Sequence, residues 1–189
     1  EIMPSLVGSE MCIRDSKITY PIVNKISLVA TGDALLHNPV YISAYDNSTK
    51  SFNFAPQLEL VKDEIKNYDI KYYNQETVFG GKLTDRFNCK YNMPGYCSYP
   101  YFNSPSEFGD AMVDAGFNMI SLASNHSADC TYASDTCITN SYNYWKSKNV
   151  VFDGFNEDES KENKYNIGEK NGIKYPFHDK MVVKECLLK

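Results

Sequence analysis

The sequence has no run approaching the roughly 20 apolar residues that span a bilayer, and its N-terminus lacks the basic, apolar and small-residue order of an export signal. No export or anchoring segment is therefore expected within the sequence as written. It also has no surplus of basic charge: 19 Lys and Arg stand against 24 Asp and Glu, a formal charge of -5. A surface that neutralises nucleic-acid or lipid phosphates needs clustered Lys and Arg, so nucleic acid is not an expected partner. Phosphate chemistry would need a local counter-charge such as a metal. Gly 10 and Pro 8 are too few for a collagenous or Pro-rich chain, and 23% charged with 14% aromatic residues excludes a coiled coil or a disordered tail.

What is present is a globular composition: 189 residues with 42% hydrophobic side chains, enough for one core. Residues 1–16, EIMPSLVGSEMCIRDS, carry neither helical nor strand periodicity and stop where patterned sequence begins. They resemble translated sequencing-adaptor read-through; that, or a disordered arm, is the expectation. Of the six cysteines, Cys12 and Cys186 lie near the ends. Cys89 and Cys97 flank one polar loop and Cys130 and Cys137 another, which favours two local disulfides in an oxidising compartment over four reduced thiols. No CxxC spacing supports a zinc knuckle.

Periodicity predicts strands at 26–31, 70–73, 118–123 and 150–152. Between them it predicts helices at 56–67 (inner face Leu58, Val61, Ile65), at 105–115 (Ser104 as cap; Phe108, Met112, Ala115 inward) and at about 134–148 (Ile138, Tyr142, Trp145 inward). Strands separated by helices mean right-handed β-α-β units and a mainly parallel sheet, whose ligands gather at the carboxyl ends of the strands. Three such ends carry Asp33, then Asn74 and Glu76, then Asn125 and His126. Carboxylates, amides and an imidazole form a set suited to a borderline divalent metal such as Mn, Fe or Zn. A loop over 79–104, rich in tyrosine, is long enough to wall a cleft or to be a disulfide-tied surface feature. The charged run at 156–163 reads as solvated loop.

The segments Thr31-Gly-Asp-Ala-Leu-Leu-His37, Asn74-Gln-Glu-Thr77, Phe102-Asn-Ser-Pro105 and Ala115-Gly-Phe-Asn-Met-Ile-Ser-Leu-Ala-Ser-Asn-His-Ser-Ala-Asp129 resemble, in order and spacing, the poly-γ-glutamate capsule biosynthesis family (CapA). That family is similar to the calcineurin-like metallophosphoesterases, so the resemblance implies part of a four-layer α/β/β/α sandwich with two metal ions at the strand ends. It implies Asp33, Glu76 and Asn125 as metal ligands, His126 as general acid or oxyanion-positioning group, and Asn74 and Asp129 as orienters of those ligands. His37 is a site-lining residue or a ligand; the superfamily's histidine falls two residues after its aspartate, where this chain has Leu35. Ser124 replaces the asparagine usual before Asn-His. The resemblance runs over about 26–174, giving a domain at 17–174, and the sequence departs from the family pattern near Tyr175. Residues 175–189 are therefore expected to be a frameshifted tail whose His178 is no ligand, and a site with half its ligands is expected to be inactive in this polypeptide. Implied partners are an anionic polymer or a phosphorylated small substrate, and capsule synthase membrane proteins, at a cell surface. The competing readings are a non-catalytic scaffold of the same fold and a generic phosphodiesterase.

Overall fold

The computed structural model describes residues 23–82, 95–132, 136–154 and 165–179. Residues 1–16, Cys89 and the 156–163 run lie outside the described residues. The chain is α/β. Its elements are β1 (Leu28–Asp33), α1 (Asn38–Ser43), β2 (Tyr45–Asp46), β3 (Ser51–Phe52), α2 (Ala55–Ile65), β4 (Ile70–Asn74), α3 (Glu107–Asp114), β5 (Met119–Ser121), α4 (Cys137–Lys146), β6 (Val151–Asp153), β7 (Asn166–Lys170) and β8 (Ile173–Phe177). β1, β4, β5 and β6 form one parallel sheet in the order β1-β4-β5-β6. Such a sheet is what a partial metallophosphoesterase-like α/β fold contains. β2-β3 and β7-β8 are antiparallel pairs.

One face of the sheet carries the core. Tyr73, Ile120 and Phe152 are register partners on adjacent strands. They share a cluster with Ile65 of α2, Phe108 and Met112 of α3, and Trp145 of α4. Same-register residues of parallel strands point the same way, so one row of apolar side chains suffices to seat three helices. α3 ends where Gly116 takes φ +107, a left-handed conformation, and the Phe117 N–H reaches back to Met112 O at 3.1 Å.

Two helix details differ from the sequence reading. Ser104 does not cap α3: its hydroxyl donates to Thr77 Oγ1 at 2.9 Å, and the helix begins at Glu107 behind Ser106. The side chain had a better partner in a buried loop than in the helix terminus. On α4 the fully buried positions are Cys137, Ser141 and Trp145, while Ile138 and Tyr142 are half-buried. Spacing of four residues, anchored by a disulfide and by the Ser141 hydroxyl accepting Phe79 N–H at 3.3 Å, rotates the helix from the orientation its large apolar residues suggested.

Cys130 and Cys137 form a disulfide, with Val78 beside it in a small buried cluster. Cys97 is also disulfide-bonded. Gly80 lies against the Cys130–Cys137 bridge, so closely that a Cβ there would run into Cys137 Sγ and stand 2.8 Å from Cys130 Sγ and Asn103 Oδ1. The bridge closes a sequence separation of only 7. Changing both cysteines to serine should lower stability by about 2–3 kcal/mol, read as a lower urea midpoint. An unchanged midpoint would show that the bridge contributes nothing to the fold.

Candidate functional site

The carboxyl ends of the four parallel strands place Asp33, Asn74, Ser121 and Asp153 opposite one another in register. Side chains join them. Asn74 Nδ2 donates to Asp33 Oδ1 at 2.8 Å, and the Ser121 hydroxyl donates to Asn74 Oδ1 at 2.9 Å. Ser121 also touches Asp179 Oδ2. The buried Asp153 carboxylate takes the Gly154 N–H at 2.8 Å, the Asp179 N–H at 3.1 Å and His178 Nδ1 at 3.1 Å. β5 stops at Ser121, so Asn125 and His126 stand on the loop beyond the strand rather than at its end.

Glu76 follows β4 on a braced loop. Gln75, buried beside it, donates its backbone N–H to Ser121 O at 2.8 Å and its side chain to Thr77 O at 2.8 Å. The Glu76 backbone carbonyl accepts the Ser124 hydroxyl at 2.9 Å, which bolts the His126 loop to the Glu76 loop. Ser124, the departure from the family pattern, therefore has a bond to make. Burial, and next the Asp33 carboxylate beside it, hold the Glu76 carboxyl above its ordinary range, while His126 pulls it the other way. Asp33, Glu76 and His126 thus converge within electrostatic reach.

His126 Nδ1 lies 2.7 Å from Asp129 Oδ2, and the same oxygen accepts the Phe102 N–H at 2.7 Å. The Leu122–Ser127 loop is tied internally: Ser127 donates to Leu122 O at 2.6 Å and accepts Ser124 N–H at 2.8 Å. Asn125 is exposed. His37, also exposed, has Nδ1 3.1 Å from Ser98 Oγ and stands edge-on to Phe102, 5.1 Å between ring centroids. His126 meets the same phenyl at 4.7 Å.

The Phe102-Asn-Ser-Pro105 segment now has a physical account. Asn103 is buried and fully engaged, accepting Gly80 N–H at 2.8 Å and donating to Gly81 O at 2.7 Å and Gly95 O at 3.1 Å. With the Ser104–Thr77 bond it fastens the long loop to the segment after Glu76.

The structure thus brings Asp33, Asn74, Glu76, His126 and Asp129 together and leaves His37 across Phe102 from His126. The sequence reading gave no site role to Ser98, Ser121, Asp153 or Asp179, and quoted Phe102 only as part of a family segment and of the loop that could wall a cleft. Strand register would have shown Ser121 and Asp153, had the strand ends been placed correctly; nothing in the sequence pointed to Ser98. Two adjacent carboxylates, one held above its range by burial and by the other, make a donor pair that a divalent cation relieves. On that ground the residues fit such an ion. Among the described residues no group of three or more His, Cys, Asp or Glu is arranged to hold a metal, and no helix is long and apolar enough to cross a membrane.

The bacterial capsule synthesis protein family PGA_cap matches residues 27–181, a span that takes in every side chain of this site. The match continues past Tyr175, and β8 runs through that residue to Phe177. No curated protein matches the chain.

Proposed function

The chain belongs to the bacterial capsule synthesis protein family, and from that premise we propose that it is a metal-dependent hydrolase or transferase of capsule-polymer synthesis, working at the cell surface on an anionic polymer or a phosphorylated small substrate. The observation that carries this reading is the Asp33–Glu76 carboxylate pair beside the Asp129-held His126, at the carboxyl edge of a parallel sheet. Asp33 and Glu76 would hold a divalent cation, Mn, Fe or Zn, with the exposed Asn125 amide on the adjoining loop. When bound, such an ion polarises a phosphoryl, acyl or amide oxygen and acidifies a water.

The protein's own residues supply the rest. Asn74, held by Ser121, fixes the Asp33 carboxylate through Oδ1. A carboxylate accepts, so His126 Nδ1 is the donor of their bond, and when the ring is neutral its lone pair lies at Nε2. Nε2 can take a proton from a nucleophile and return it to a leaving group. The Cys130–Cys137 bridge fits an oxidising location, and capsule synthase membrane proteins are the expected neighbours.

Manganese titration of the chain against Asp33→Ala and Glu76→Ala tests the pair. Each variant should lose at least about tenfold in affinity. Equal stoichiometric metal in all three proteins would sink the assignment and leave the non-catalytic scaffold of the same fold.

A further inference from the structure

His37 and His126 stand on one floor and present different chemistry. Phe102 is buried, 1% exposed, and each imidazole meets it edge-on, His37 at 84° and His126 at 76° between ring planes. The three residues come from three separate loops, after β1, before α3 and after β5. Both rings have Nδ1 engaged, and among the described residues neither Nε2 has a hydrogen-bond partner.

The engagements differ in direction. His126 faces a carboxylate, so in the neutral ring Nδ1 carries the proton and Nε2 the lone pair. His37 faces Ser98 Oγ, which already accepts the Asn38 N–H at 3.1 Å. That hydroxyl has one proton to give, and among the described residues His37 Nδ1, at 3.1 Å, is the acceptor placed to take it. A neutral ring that accepts at Nδ1 carries its proton on Nε2. One imidazole therefore offers an acceptor and the other a donor.

We propose that His37 is the oxyanion-binding group of this site, donating its Nε2–H to a phosphoryl or carboxylate oxygen of the substrate, with Ser98 as the positioning residue that fixes its tautomer. The inference rests on the reading of the site given above and extends it to the ligand. The other charged side chains gathered there, Asp33, Glu76 and Asp129, are acidic, so an anionic group needs a donor to be held beside them. A carboxylate at Ser98's position would invert the tautomer; a hydroxyl that donates does not.

Nitrogen-15 NMR of the imidazoles in the full chain tests this, because the sequence has only three histidines. At about pH 8, above the ordinary histidine range, His37 should appear as the Nε2–H tautomer. His126 and His178, each with Nδ1 on a carboxylate, should appear as Nδ1–H. Ser98→Ala should mix the tautomers of His37 alone. Inorganic phosphate or glutarate, titrated separately, should shift the His37 resonances. His37→Ala should weaken that binding about tenfold, and His37→Gln, which keeps an N–H near the Nε2 position, should recover most of it. A response to phosphate alone marks a phosphoryl ligand, and a response to glutarate alone a carboxylate. An Nδ1–H tautomer at His37, or equal anion affinity in wild type and His37→Ala, overturns the proposal. If manganese still binds through Asp33 and Glu76 in that case, the failure belongs to His37 and not to the site.

Discussion

Asp129→Ala should cost the folded chain about 3 kcal/mol and release His126 from its single tautomer. Asp129 Oδ2 is the acceptor of two bonds at once, the Phe102 N–H and His126 Nδ1, both at 2.7 Å. Removing it leaves the Phe102 amide without its acceptor, which costs about 1–3 kcal/mol, and deletes a charge-assisted bond of similar size. Phe102 is the floor under both imidazoles, so the loss spreads from His126 to His37. Asp129→Asn separates the two effects. An amide oxygen can still accept both N–H groups, so most of the stability should return, but the charge that would favour an imidazolium at His126 is gone. Urea unfolding and the imidazole nitrogen spectra are the readouts. An alanine variant with unchanged midpoint and an unchanged His126 tautomer would mean that the loop holds itself without Asp129.

Strands were legible in the sequence because apolar runs ended at polar clusters: the expected strand at 70–73 is β4, and that at 150–152 is β6. The parallel sheet followed from the helices between them. What periodicity could not read was two-residue strands and a six-residue helix. β2-β3 and α1 are too short for any period to show, and α1 is marked only by Pro39 at its start. The β7-β8 pair was missed for another reason: Asn171 at φ 52 and Gly172 at φ 74 form its turn, but β7 is mostly exposed and β8 runs across Tyr175, where the sequence departs from the family pattern and a frameshifted tail was expected.

The site was legible where one residue type can do one job. Two acidic residues and an imidazole past strand ends suggest chemistry from identity alone. Ser98, Ser121 and Ser124 do not, since serine is common in any loop, yet each decides what a neighbour presents: His37's tautomer, Asn74's orientation and the seat of the His126 loop on Glu76. Their roles come from pairings 61, 47 and 48 residues apart, which only the folded chain reveals.

The foundation of that assembly is Trp145, and its removal should be the most damaging single change to the fold. The indole is fully buried; it stacks on Phe79 at 5.6 Å and meets Tyr73 edge-on at 6.4 Å. Tyr73 immediately precedes Asn74, and Phe79 follows Glu76 by one short braced loop, so Trp145 supports both ends of the segment that carries the second carboxylate. Trp145→Ala should cost about 3–5 kcal/mol, through lost burial and a cavity. Among the described residues its buried Nε1 has no hydrogen-bond partner, and an unmet donor is itself unfavourable. Trp145→Phe removes that donor and keeps an aromatic face, so gain offsets part of the loss and the variant should stay within about 1.5 kcal/mol of wild type. Manganese affinity should follow the same order, weakened in Trp145→Ala and kept in Trp145→Phe. If phenylalanine proves as destabilising as alanine, the indole N–H has a partner in solution, and the segment depends on a polar contact rather than on packing.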